Sequence, residues 1–593
     1  MRRALGGLLL VLSWVVGIVL GVTGAALRTQ AGREELVRWV VHVVNGTIGG
    51  TIEVGRVGGS FLRGLELEQV AILHADGTPV LTADLVGVQY TFRELTAGHI
   101  VLGALEVRRP TITVVQPASG MRFNFIEVIN PEPGDGDGGP SPLVAFNNVR
   151  ILDGSIFIKT PLGTSPPPGT EIEQGPNGPL HVRRLAGVDA TLAYLRVASP
   201  EPDAPILTRI ADLRAEVSDP AIDLRGLDGE VRVWGDSVRL QLARVELPAS
   251  TAALEGTIAW PTGPMLFDLR GNAPAARTDD VRGLVEALPA GLSGRARFAV
   301  RSLADDALEF SGTDLDVTGR GDGRMVGELG MVLGPGDSWR FQRSVLSLQQ
   351  FDLDHVRGFL DTLPFGGTIT GDVTMEGPSV RLQLDVDATF TDALVEGRPQ
   401  TYLRGRGPVS LVGDDFIFRS FVVDTADVSL LTVRRLVPSV IVDGWMGGAG
   451  QLDGSWRNAT FSGLLRHLDA PRPISEGRGF VRIDARRDTV GIFAGLDFDS
   501  LRLEGLESLF DSVELGSVWA GRLRLGGYLD SLPVQADLVG ASGHVVIEGT
   551  VFALDTVWGT RRLQLDGEAV DLAGVLPGIP RTALTGQVRL AAA

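Results

Sequence analysis

The chain predicts a mainly β protein: an elongated, curled antiparallel sheet with an apolar groove, assembled from repeats of roughly 70 residues that carry short helices. One N-terminal transmembrane helix precedes it. Three observations predict this: repetition at a near-constant period, apolar and polar residues alternating with period two, and an uncharged run at the start. The repetition is clearest where Leu284–Pro289 and Phe359–Pro364, both helix-like, precede the glycine-led strands Gly294–Phe298 and Gly371–Met375. Weaker copies end at Pro438, Phe510 and Pro577, so the steps from Pro289 are 75, 74, 72 and 67 residues. A fixed period of that length signals stacked units rather than a compact enzyme.

The first element, residues 1–30, is the predicted signal-anchor. Arg2 and Arg3 precede an uncharged stretch from Ala4 to Leu27, long enough at ~1.5 Å per residue to cross a bilayer. Positive charge before the span predicts the N-terminus inside and the bulk of the chain outside the cytoplasm. A cleaved signal peptide competes, with Gly24-Ala25-Ala26 as its small-residue site, but the run exceeds an apolar signal core of ~7 to 15 residues.

Residues 31–130 follow as a β region with a short capping helix. Leu36, Trp39, Val40, Val43 and Val44 keep helical spacing up to Asn45-Gly46. Turn signals at Gly58-Gly59, Asp76-Gly77 and Ala97-Gly98 then separate alternations that include Leu65, Leu67, Val88, Tyr90 and Phe92. Residues 131–280 form a second β region with two proline- and glycine-rich stretches, Pro131–Pro142 and Pro161–Pro179, predicted as exposed loops. Residues 281–593 hold the repeats, with Asp280 and Asp354 as expected helix caps.

Alternation names the candidate groove. Val380, Leu382, Leu384, Val386, Ala388 and Phe390 share one face, and Arg381, Gln383, Asp385, Asp387 and Thr389 the other. Val238, Leu240 and Leu242 repeat the scheme, as do Leu523 and Leu525 against Arg522 and Arg524. With a strand every ~11 to 12 residues, some 45 to 50 strands are expected, and open sheets seldom pass ~10 strands without curling or closing. Short helices, one per repeat, leave most of the apolar face without a helical lid. Taken strand by strand, the same alternation also fits a packed sandwich core.

Composition narrows the function. A net charge of −18 supplies no basic footprint for nucleic acid. There is no cysteine, so disulfides and thiolate metal sites are excluded. Lys159 is the only lysine and lies in no phosphate-binding loop. The histidines His42, His74, His99, His181, His355, His467 and His544 are scattered without zinc spacing, and no G-x-S-x-G elbow surrounds a serine. Asp135 and Asp137 supply too few oxygens for calcium, and the pairs Asp279-Asp280, Asp305-Asp306 and Asp414-Asp415 suit caps and turns. The expectation is a non-enzyme without cofactor or metal.

Gly55-Arg56-Val57-Gly58-Gly59-Ser60-Phe61-Leu62-Arg63-Gly64-Leu65-Glu66-Leu67-Glu68-Gln69-Val70, then Asp76-Gly77-Thr78-Pro79-Val80, Gly98-His99-Ile100 and Leu105-Glu106-Val107-Arg108-Arg109-Pro110, resemble the N-terminal region of TamB proteins in the AsmA-like group. The later repeats are similar in style to that family's β-rich middle. The resemblance implies a curled sheet with an apolar groove, anchored in a bacterial inner membrane with its N-terminus cytoplasmic and its bulk periplasmic, and phospholipid transport to the outer membrane. For some members it implies pairing with an outer-membrane barrel of the Omp85 type in barrel-protein assembly. The chain departs from the family at Arg589–Ala593, without the extended C-terminal domain, so a truncated member is expected.

The predicted function is therefore a passive phospholipid conduit without a nucleotide site. Its expected lining is Val238, Leu240, Leu242, Val380, Leu382, Leu384, Val386, Phe390, Leu523 and Leu525. The alternatives are an assembly scaffold for outer-membrane barrels and, from a different architecture, a secreted β-helix adhesin with a rung period near ~20 residues.

Overall fold

Alternating residues between glycine- and proline-rich turns become strands almost throughout: strand accounts for 70% of the described residues and helix for 9%. The computed structural model describes residues 29–592 except 47, 61–63, 91–99, 119–121, 130–142, 163–169, 202, 220, 261–264, 284–287, 305–306, 320, 336–337, 356–364, 413–414, 439, 441, 456, 488, 510–513 and 555–556. The predicted anchor Ala4–Leu27, the loop Pro131–Pro142 with Asp135 and Asp137, and the motifs Leu284–Pro289 (apart from its last two residues) and Phe359–Pro364 lie outside the described residues. No helix among the described residues is long and apolar enough to cross a membrane. Two compact units result, one of 1–286 with 295–306, the other of 287–294 with 307–593.

In the first unit, helix α1 (Gln30–Asn45) starts on Thr29, whose hydroxyl accepts from the Gly32 amide. The strands are β1 (Gly50–Ser60), β2 (Gly64–His74), β3 (Pro79–Tyr90), β4 (Ile100–Arg108), β5 (Thr111–Val115), β6 (Val144–Pro161), β7 (Ile172–Gly175), β8 (Gly178–Ala198), β9 (Ile206–Ser218), β10 (Ala221–Leu224), β11 (Gly226–Val233), β12 (Ser237–Glu246), β13 (Thr251–Ala259) and β14 (Leu266–Arg277). A short helix α2 (Asn124–Ile129) sits between β5 and β6. Neighbours pair antiparallel, except that β4 and β5 run parallel to β6.

The second unit contains β16 (Leu308–Thr318), β17 (Arg324–Leu333), β18 (Trp339–Asp352), β19 (Gly367–Pro378), β20 (Leu382–Asp392), β21 (Gln400–Val412), β22 (Asp415–Ser429), β23 (Trp445–Ser455), β24 (Asn458–Leu468), β25 (Ser475–Asp484), β26 (Gly491–Arg502), β27 (Val518–Tyr528), β28 (Leu532–Gly540), β29 (Gly543–Leu554), β30 (Val557–Val570) and β31 (Leu584–Ala592). Each pairs antiparallel with the next. Short helical inserts begin at Thr278, Leu353, Leu430, Leu503 and Leu572, in steps of 75, 77, 73 and 69 residues. Four strands separate successive inserts, counting β15 (Ser293–Ser302) with the first set. Because four is even and the ladder antiparallel, the inserts after β18, β22, β26 and β30 all leave from the same long side.

Several expectations are corrected. Thirty-one strands occur among the described residues, fewer than spacing predicted, because strands run as long as 18 residues in β6 and 21 in β8. Gly58-Gly59 is no turn but part of β1, where Gly59 takes φ +81°. Pro161–Pro179 is not simply a loop, since it carries β7. Asp280 lies inside its helix, and its carboxylate accepts from the Ala249 amide (2.9 Å) and the Ser250 hydroxyl (2.6 Å), pinning the insert to the strand end. At the next insert Asp352 accepts from the Asp354 amide at the start of the 3-10 turn Leu353–His355, and the helix expected to follow Asp354 lies outside the described residues.

Candidate functional site

Cross-strand partners in a ladder stand on the same face, so the register shows what each face is made of. In the second unit one unbroken row reads Leu315, Gly327, Leu346, Val373, Val386, Gly405, Val423, Gly450, Gly463, Gly479, Leu496, Leu523, Ala536, Ile547, Leu565 and Val588. Across sixteen strands it contains no polar side chain. A second row on that face reads Phe421, Leu452, Phe461, Val481, Ala494, Leu525, Val534, Gly549, Leu563 and Leu590.

One residue along, the opposite face reads Thr374, Asp385, Arg406, Val422, Gln451, Ser462, Phe480, Gly495, Arg524, Gln535, Glu548, Gln564 and Arg589. Its two large apolar members, Val422 and Phe480, are each 44% exposed. Charges on this face pair across strands: Arg522 Nε lies 3.0 Å from Asp497, and Tyr402 donates to Asp387 at 2.9 Å. That second bond raises the Tyr402 pKa, and burial and charge repulsion from the carboxylate reinforce it. His544 is raised chiefly by its bond to Asp537. Solvent therefore meets this face.

The apolar face is half-buried along most of its strands and opens to solvent at β31, where Val588 and Leu590 are 54% and 46% exposed. Leu496, Leu523, Leu525, Val534, Ile547, Leu563 and Leu565 are all half-buried. A second packed layer would bury such residues outright, whereas side-by-side neighbours in the ladder cover them only partly. In two places the face seals itself. Val409 and Phe421 are wholly buried together with Val423 and Ala426, and Leu529 and Leu532 form a smaller cluster with Val490, Ile492, Leu525 and Val551. Aromatic rings lie down on glycines of the neighbouring strand: a Cβ on Gly405 would stand 2.7 Å from the Phe421 ring, and one on Gly477 would stand 2.9 Å from the Phe498 ring. The glycines thus keep the face low.

The first unit repeats the arrangement. Its longest row is Gly59, Leu65, Val88, Leu105, Val149, Leu192, Ile210, Gly229, Leu242, Leu254 and Gly271. At Gln69, φ +55°, the alternation changes phase, so that Leu67 and Val70 pack into the same cluster with Ala83 and Val86. Beyond that kink a second row on the same face reads Ile52, Ile72, Leu81, Ile112, Ile156, Leu185, Val217 and Ile222.

Of the residues singled out from sequence, Leu382, Leu384, Val386 and Phe390 stand on one face of β20, and Leu523 and Leu525 on one face of β27. The register brings Val386 and Leu523 into the same row. Val238, Leu240 and Leu242 share a face of β12 in the first unit, beside Ile258, Gly256 and Leu254. Val380 does not belong with them: it sits in a 3-10 turn at Ser379–Arg381 and is 62% exposed, because the strand starts only at Leu382. Sequence reasoning missed most of the rows, Leu346, Val423, Leu452, Phe461, Val481 and Leu496 among them. The signal was present as glycine in phase with apolar residues, as in Met446, Gly448, Gly450 and Leu452. Comparison with family models, with curated proteins and with solved structures finds no match.

Proposed function

We propose that this chain is a passive conduit for phospholipids, whose acyl chains travel along the apolar face of a curled sheet while headgroups stay in solvent. It is held at a bacterial inner membrane by its N-terminal segment and conducts lipid across the periplasm towards the outer membrane. The observation that carries the reading is the sixteen-strand row without a polar side chain, half-buried along most of its length.

A chain of sixteen or so carbons costs ~0.8 kcal/mol per methylene to expose, so more than ~10 kcal/mol opposes its free passage through water. An oily face that is continuous in register removes that penalty, and the same contact covers residual apolar area at ~25 cal/mol per Å². Direction has to come from concentration or partners, since only binding, not energy coupling, follows from such a face. The inner-membrane and periplasmic placement rests on the family resemblance and the charge pattern around residues 1–30.

The test is extraction of a fluorescent phospholipid from phosphatidylethanolamine–phosphatidylglycerol vesicles by the full chain. Leu523→Glu puts a charge on the apolar row, and Arg524→Glu puts one on the opposite face. Extraction falls about tenfold or more in the first and stays near wild type in the second. Equal behaviour of the two variants contradicts the proposal.

A further inference from the structure

Helix α2 and the residue before it fill a place on the apolar face of the first unit. The helix packs on β1, β2 and β5. Ile126 and Val128 are each only 2% exposed, and Val128 lies against Gly50. Gly50 pairs with His74, and both stand two residues from the Ile52–Ile72 pair, hence on the same face. Val128 therefore covers that face at its end, beside the row that runs through Ile52, Ile72 and Leu81.

We infer that Phe123–Ile129 is a built-in stopper, occupying that end of the apolar face where an acyl chain would otherwise lie, so that its undocking opens the end to a lipid tail. The inference rests on the conduit reading and adds where the path is closed, and by what.

A helix of six residues has no stability of its own, so docking alone holds it in place. The polar attachments are few. The Asn124 side chain accepts from the Val115 amide (2.8 Å) and donates to the Thr113 carbonyl (2.9 Å), the Gly49 amide donates to the Val128 carbonyl (2.8 Å), and His74 Nε2 meets the Glu127 carboxylate at 2.9 Å. Burial disfavours charge on His74, but Glu127 and Asp76 outweigh it and raise its pKa, which makes the latch a charge-assisted bond. On its other side Phe123 packs edge-on against Trp260, 5.8 Å between ring centres, just past the end of β13. The stopper thus bridges strands that are far from ladder neighbours, as an occupant of a curled face does.

The chain has no cysteine, so His74→Cys/Glu127→Cys carries a unique pair at the latch. Joined by a short bis-maleimide the stopper stays docked; capped singly with N-ethylmaleimide it loses the latch, in the same folded protein. A diazirine-bearing sixteen-carbon fatty acid is photolysed with each form and with wild type, and adducts are mapped by mass spectrometry. The ratio of adducts at Ile72 and Leu81 to those at Leu523 rises about tenfold in the capped form and returns to the wild-type ratio in the joined form. An unchanged ratio with labelling at Leu523 overturns the stopper and leaves the conduit standing. Absence of labelling on the Leu523 row in every form overturns the conduit reading itself, and the stopper's lipid role with it.

Discussion

Strands β21–β22 and β26–β29 belong to one ladder and carry the same alternation, yet the first pair closes its apolar face around Phe421 while the second group leaves most of its face half-buried, sealing only around Leu529 and Leu532. Around β21 and β22, register shifts interrupt the pairing, Phe421 lies on Gly405, and Phe418 meets Phe421 edge-on at 5.3 Å. Leu384, Val386, Leu452 and Phe461 crowd against this cluster. From β26 to β29, away from the cluster at Leu529 and Leu532, the large side chains Leu496, Leu523, Val534 and Ile547 are half-buried with no aromatic ring among them, and only the small Ala494 and Ala536 are buried in their rows. A two-faced ladder is thus not by itself a groove. The placement of rings against glycines decides whether an oily face becomes a core or a surface.

That contrast sets a scale of expected effects. Phe421→Ala empties a packed site and costs about 3–5 kcal/mol of the unfolding free energy of that region, read by denaturant melting. Gly463→Ala, in the open row, comes next: Gly463 has φ +156° and a Cβ there collides with the Ala449 carbonyl oxygen, so about 1–3 kcal/mol is lost despite the added methyl. Leu523→Ala costs only about 1–2 kcal/mol, because the side chain is already half in solvent. If it costs as much as Phe421→Ala, the two regions do not differ and the face is sealed throughout. Added phospholipid raises the melting temperature of wild type more than that of Leu523→Glu, through binding to the folded state alone.

The smallest effect belongs to the first unit, in the β2–β3 turn. The Thr78 hydroxyl and amide hold the Asp76 carboxyl down at about 2. A depressed carboxylate contributes stability above its unfolded value, ~3.9, and loses it as pH falls towards 2. Asp76 is largely exposed, so Asp76→Asn lowers stability by at most a few tenths of a kcal/mol at neutral pH. The difference from wild type disappears in melts near pH 2, and its persistence there removes this assignment.

Much of this architecture was legible before any coordinates. Period-two runs such as Leu382–Phe390 fix strand and face together, and the repeat step appears as inserts every four strands. Less legible was whatever depends on partners distant in sequence. Val380 continues the alternation of β20 but falls in a turn, since Pro378 ends β19 and the chain must reverse there. Asp280 looks like a cap and instead binds Ser250, a contact thirty residues away. Gly450, Gly463 and Gly479 lie on three different strands, and only the register reveals them as three bare positions side by side in the apolar row. Nor does any local pattern announce that Ile126 would be buried by strands on either side of its loop.

The most direct measurement places a photoreactive phenylalanine analogue at Leu523 or at Arg522 in the full chain, irradiates it in cells and identifies the adducts. Phospholipid joined to position 523 and little to position 522 is the predicted result. Equal adducts at both positions, or protein adducts alone at 523, contradict an open face that carries lipid.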